Sequence, residues 1–170
     1  MKKIICDNIT RIIKNKKKLE KELNVKIINK GKELFIESNP EDEYQTERVI
    51  DALDFGFPFS TAMSIKKEDL MFEIIKIKEH TKRKDLNVIK GRIIGKKGKT
   101  LKILCELTKC NFEVKNNCVG IIGEPEYIKN AQDSIIFLIK GKKQANVYKF
   151  LEKHQVKPVI DLGLKCSILY

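Results

Sequence analysis

At 170 residues the chain has room for one or two domains with modest cores, and 42% hydrophobic against 34% charged residues is the balance of a folded chain, not a disordered one. A net charge of +12 and a pI near 9.4 favour a polyanionic partner, with a lysine-rich solvated surface as the plainer reading. No apolar run reaches the ~18 residues of a membrane span, and no signal-peptide core opens the chain, so no membrane span and a cytoplasmic location are expected.

In chain order, residues 1–6 form a short β-prone run centred on Ile4-Ile5-Cys6. Residues 10–23 read as a helix, with Ile9, Ile12, Ile13, Leu19 and Leu23 apolar and lysines between. Val25-Lys26-Ile27 alternates like a strand, Lys30-Gly31-Lys32 turns, and Leu34-Phe35-Ile36 returns as its hairpin partner. Ser38-Asn39-Pro40 stops that strand, and Glu41, Asp42 and Glu43 favour the start of a helix reaching about Leu53 on Tyr44, Val49 and Ile50. Phe55-Gly56-Phe57-Pro58-Phe59 breaks it; without a basic residue in the run, a packed junction is expected in preference to a base-stacking surface. Ser60 is expected to cap a short helix over 61–65, and Lys66-Lys67-Glu68-Asp69 marks a domain boundary.

The second half repeats the order more strongly. Ile75 and Ile77 alternate with lysines as a half-buried strand, and Asp85 can cap the helix that follows a charged turn. That helix enters Gly91-Arg92-Ile93-Ile94-Gly95-Lys96-Lys97-Gly98-Lys99-Thr100, the stretch around which the chain is organised. Two glycines let the backbone turn sharply between helices. The next helix offers unpaired N–H groups and a positive dipole end, and Lys96, Lys97 and Lys99 add charge at the same place. This is a phosphate-holding corner. Gly98-Lys99-Thr100 mimics the end of a nucleotide-binding P-loop, but that motif requires glycine at position 93, which is Ile93, and a preceding strand in place of a helix. Beyond it, Leu101, Leu104, Cys105 and Thr108 form one helical stripe; Phe112 and Val114 mark a strand, Asn116-Asn117 a turn, and residues 118–122 the return strand. Pro125 opens a last helix striped by Ile128, Ala131, Ile135, Leu138 and Ile139, and Lys140-Gly141 closes it.

The order strand, helix, glycine corner, helix, strand, strand, helix, with Gly95-Lys96-Lys97-Gly98 as a G-x-x-G loop, resembles a type I KH domain across residues 72–140. The longer string from Gly91 to Thr100, with Ile121-Ile122-Gly123 and the Gly141…Val147-Tyr148 tail, is similar to the partner-of-Nob family, found in archaea and eukaryotes. The resemblance implies an α+β fold of two tandem type I KH domains, each a three-stranded antiparallel sheet covered by helices on one face. It implies 1–65 as a degenerate KH domain lacking the G-x-x-G loop, 66–144 as the KH domain that carries it, and 145–170 as a C-terminal extension. It further implies small-subunit rRNA processing and ribosome assembly, with single-stranded rRNA bound near its 3′ end. The partners it implies are the endonuclease that matures that end and the alpha subunit of translation initiation factor two. Arg11-Ile12-Ile13-Lys14-Asn15-Lys16-Lys17-Lys18 aligns with Arg92 to Lys99 but has lysines at both glycine positions.

The expected site therefore comprises Gly91, Arg92, Ile93, Ile94, Gly95, Lys96, Lys97, Gly98, Lys99 and Thr100, with Leu101 and Leu104 flooring a groove walled by Phe112 and Val114. Without tryptophan and with few aromatics in this half, broad stacking platforms are not expected. Cys6, Cys105, Cys110, Cys118 and Cys166 contain no C-x-x-C pair, and His80 and His154 lack partners at metal-ligand spacing. No metal, cofactor or catalytic set is expected. A protein-docking scaffold and an NTP-binding enzyme are the competing classes.

Overall fold

The computed structural model describes residues 2–155. Six elements make the first half: β1 (Lys2–Ile5), α1 (Ile9–Leu23), β2 (Lys26–Lys30), β3 (Glu33–Glu37), α2 (Pro40–Phe55) and α3 (Phe59–Lys67). The second half contains β4 (Met71–Lys76), α4 (Leu86–Ile94), α5 (Lys99–Thr108), β5 (Asn111–Lys115), β6 (Cys118–Gly123), α6 (Pro125–Ile139) and α7 (Gln144–Lys153). Each half has a three-stranded, wholly antiparallel sheet whose last strand lies in the middle, in the orders β1-β3-β2 and β4-β6-β5. The architecture is α+β.

Local chemistry accounts for the boundaries. α1 buries Ile12, Leu19 and Leu23 and stops at Asn24, whose left-handed backbone suits asparagine. Ile13, expected on the same stripe, is 44% exposed because it lies a further step around the helix. α2 starts where Asn39 accepts the Asp42 N–H, with proline at the first position and three acids in the first turn. Tyr44, also expected inside, is exposed. α3 begins at Phe59, so Ser60 lies within its first turn and is not the cap. The fourth strand also lies earlier than its sequence pattern implies. Ile77 leaves the ladder for a 3₁₀ turn, yet it is fully buried and its N–H still reaches the Asn117 carbonyl at 2.9 Å.

The inner faces of the sheets, under their helices, form two cores. Part of the outer face of the second sheet is covered by the first half, while Ile74 on the same face stays exposed. Phe55, Phe57 and Phe72 have ring centroids 5.8–6.0 Å apart, Phe57 is 2% exposed, and Phe72 and Ile122 complete the first half's core. Gly120 leaves room for the Phe55 and Phe57 rings. Arg48 donates to the Phe72 carbonyl at 2.8 Å and Lys115 to that of Asp54 at 2.6 Å. The expected packed junction is this contact. Beside it lies an acidic cleft of about 350 Å³ lined by Asp7, Asp51 and Asp54 together with Lys76 and Lys115. Burial, reinforced by the Glu47 charge, pushes the Asp51 carboxyl up to about 6.

The chain does not leave the second core where an extension was expected to begin. α7 folds back on α5 and α6, burying Val147 and Leu151 in the same core. The later part of the expected extension, residues 156–170 with Cys166, lies outside the described residues.

Candidate nucleic-acid interface

The corner is built by two helices that meet almost without a linker. Asp85 caps α4 by accepting the Asn87 and Val88 N–H groups. α4 ends where the Gly95 N–H bonds the Gly91 carbonyl at 2.8 Å. A 3₁₀ turn, Lys96–Gly98, then feeds α5. Three of the four residues from Gly95 to Gly98 have positive φ: Gly95 at 74°, Lys97 at 55° and Gly98 at 74°. Lys97 adopts the left-handed region without being a glycine, which a lysine tolerates at modest cost.

The two glycines differ in their surroundings. A Cβ on Gly95 would collide with the Thr100 side chain and stand 2.8 Å from the Thr100 nitrogen, whereas Gly98 faces open space. Gly95 thus lets α5 seat against the end of α4, and the free backbone surface lies at Gly98. Lys96, Lys97 and Lys99 are exposed around it.

The other expected site residues separate into two sets. Ile94, Leu101 and Val114 are half-buried, the state of side chains that can floor a groove. Ile93, Leu104 and Phe112 are buried in the second core and lie beneath the surface, not on it. The difference arises because α5 buries Thr100, Leu104 and Thr108 at four-residue spacing, rotating its inner stripe away from the expected one. Leu101 and Cys105 are left on the rim of that stripe, packed against the core's edge. Burial pushes the Cys105 thiol above its ordinary range, so it is a small neutral group on the rim of α5. Gly91 lies exposed on α4 beside open space. Arg92 turns away from the loop and donates to the Lys142 carbonyl at 3.0 Å, which ties α4 to the segment before α7.

One residue that sequence reasoning missed is Gln144. Its amide donates to the Arg92 carbonyl at 3.0 Å and to the Thr100 hydroxyl at 2.9 Å, joining both sides of the corner to the start of α7. The signal available was the amphipathic spacing of Val147 and Leu151 that follows it. Among the described residues, no group of three or more His, Cys, Asp or Glu is placed to hold a metal ion, and no helix is long and apolar enough to cross a membrane.

The chain is 31% identical over 149 residues to a KH domain-containing protein of Methanocaldococcus jannaschii, covering 84% of this chain and 66% of that protein. It is 29% identical over 120 residues to the RNA-binding protein pno-1 of Caenorhabditis elegans, covering 65% of this chain and 43% of the relative's length. The chain thus spans just under two thirds of the first relative and less than half of the second. Among solved structures, Dim2p of Pyrococcus horikoshii superposes with a TM-score of 0.82 at 28% identity, covering 89% of this chain and 98% of that one. A chain of the a/eIF2alpha–aDim2p–rRNA complex from the same organism gives 0.83 at 28% identity, covering 91% of this chain and 93% of its own. Residues 71–156 match the model of the second KH domain of PNO1 proteins, a eukaryotic-type (type I) KH domain, and the chain belongs to the partner-of-Nob (PNO1) family.

Proposed function

We propose that the protein binds single-stranded RNA of the small ribosomal subunit, near its 3′ end, and acts by binding in rRNA processing and subunit assembly. The observation that carries this is the corner itself. Exposed Lys96, Lys97 and Lys99 surround the open backbone at Gly98, and half-buried Ile94, Leu101 and Val114 lie on the adjoining surfaces of α4, α5 and β5. Lysines and the positive end of α5 hold phosphates, and the aliphatic floor accepts the bases of about four nucleotides. A similar chain, aDim2p, was solved in a complex with rRNA and a/eIF2alpha, which supports both an RNA partner and docking of the initiation factor's alpha subunit. The rRNA-maturing endonuclease is proposed as a further partner on family resemblance, and the cytoplasm as the compartment.

In this reading residues 66–144, with α7 packed against them, form the RNA-clamping KH domain. Residues 1–65 are a degenerate tandem copy, supported by the shared strand order of the two sheets. The reading is not enzymatic. The P-loop alternative lacks its glycine at Ile93 and its preceding strand, since a helix, α4, leads into the corner.

The test is the pair Lys96→Asp with Lys97→Asp in the full chain. Both side chains are exposed, so the melting temperature should stay within error. Affinity for a small-subunit 3′-end RNA should collapse, and its log–log salt slope should flatten by ~0.7 per lost phosphate contact. Unchanged binding by the double variant would remove the assignment of the corner.

A further inference from the structure

α5 has two usable faces. Leu101 and Cys105, one turn apart, border β5 and the groove, while Lys99 and Ile103, also one turn apart, point the opposite way toward α7. Between α5, the loop and α7 lies a second cleft of about 310 Å³, lined by Lys96, Lys99, Thr100, Ile103, Gln144 and Tyr148. We propose that this cleft is a nucleotide subsite separate from the KH groove, which takes the phosphate and base of the residue that follows the clamped segment across the G-x-x-G loop. The inference rests on the loop holding a strand.

Four observations converge. The cleft is lined by two lysines and no carboxylate. The first residues of α5 and α7, Lys99 and Gln144, both lie in its wall, so two positive helix ends reinforce the lysines. Tyr148 and Ile103, both half-buried, supply an aromatic ring and an aliphatic surface on which a base can stack. The volume stands at the small end of ligand pockets, the scale of one nucleotide and not of a protein segment. Lys96 belongs to both the loop and the cleft, so a phosphate held at the loop is adjacent to the new subsite. Gln144 already spends its amide hydrogens on the Arg92 carbonyl and the Thr100 hydroxyl, which fixes α7 at the distance that keeps the cleft open.

The experiment compares single-stranded fragments of about four and about eight nucleotides from the small-subunit rRNA 3′ end, the first just filling a KH groove. Binding to the full chain is followed by fluorescence anisotropy. The longer oligomer should bind about tenfold tighter, the gain of one stacked base and its phosphate. Tyr148→Leu keeps apolar bulk against the core and should abolish that gain while leaving the short oligomer's affinity unchanged. Ile103→Ala, on an independent residue, removes the aliphatic surface of the cleft without adding charge beside Lys96 and Lys99, and should do the same. A length gain that survives in a folded variant of either kind overturns the subsite. Failure of the parent chain to bind either oligomer would instead overturn the groove reading, and the subsite with it.

Discussion

Gly95 and Gly98 show how one short pattern contains two separate requirements. Both have φ of 74°, but Gly95, with ψ of 173°, occupies a region essentially reserved for glycine, whereas Gly98, with ψ of 8°, is in the left-handed region that L-residues enter at a cost of about 1–2 kcal/mol. At Gly98 that is the whole cost, since nothing lies within 4 Å of a Cβ placed there. At Gly95 the added carbon also meets Thr100, which is 3% exposed and holds the Gln144 amide. Gly95→Ala is therefore expected to destabilise the chain by more than Gly98→Ala, by at least the ~1–3 kcal/mol of local strain alone, and to loosen α7 because Thr100 must move. Urea unfolding of the two variants checks this. Equal losses, or a larger loss at Gly98, would contradict the division of roles. The G-x-x-G spacing made the corner legible in sequence. Which glycine is sterically required was not legible, because Thr100 meets Gly95 only once α5 begins at Lys99 and coils back over it.

At the scale of elements, the two halves differ most where they align best. In the second half the chain breaks between α4 and α5. In the first, α1 runs 15 residues without interruption through Lys14 and Lys17, the positions that correspond to the two glycines. An unbroken helix uses its N–H groups internally, so although Arg11, Lys14, Lys17, Lys18 and Lys21 share one exposed face, α1 presents no backbone corner that could clamp a phosphate. Lys14→Glu with Lys17→Glu in the full chain should therefore leave affinity for single-stranded RNA within about twofold and the salt slope unchanged, since no phosphate contact is lost. A fall comparable to that of the Lys96 and Lys97 pair would mean that α1 also faces RNA. Periodicity located most elements, since strands and helices bury one side each. It erred by a step around α5 and at Ile13, because sequence spacing identifies a stripe only when a single neighbour covers the helix. α5 instead touches α4, α6, α7 and β5. For the same reason Leu104 read as a groove residue and proved to be core; Phe112 did so because its side of β5 faces the second core.

Across the whole molecule, the junction decides whether the halves are independent. Phe72 and Ile122 belong to the second sheet by hydrogen bonding and to the first half's core by packing. Phe57, from the first half, lies over Gly120 in the middle strand of that sheet. Removing one ring should therefore affect both halves. Phe57→Ala deletes a side chain that is 2% exposed, for which losses of about 3–5 kcal/mol are usual, transfer and cavity together. The variant is expected to unfold at lower urea in one transition, with amides of β3 and of β6 losing hydrogen-exchange protection by the same factor. A shared core gives that result because opening the junction exposes Phe72 and Ile122 to water along with Phe55, whichever half unfolds first. If β6 amides kept the parent's protection while those of β3 lost theirs, the second half would fold alone, and the aromatic contact would be no more than two domains resting on each other.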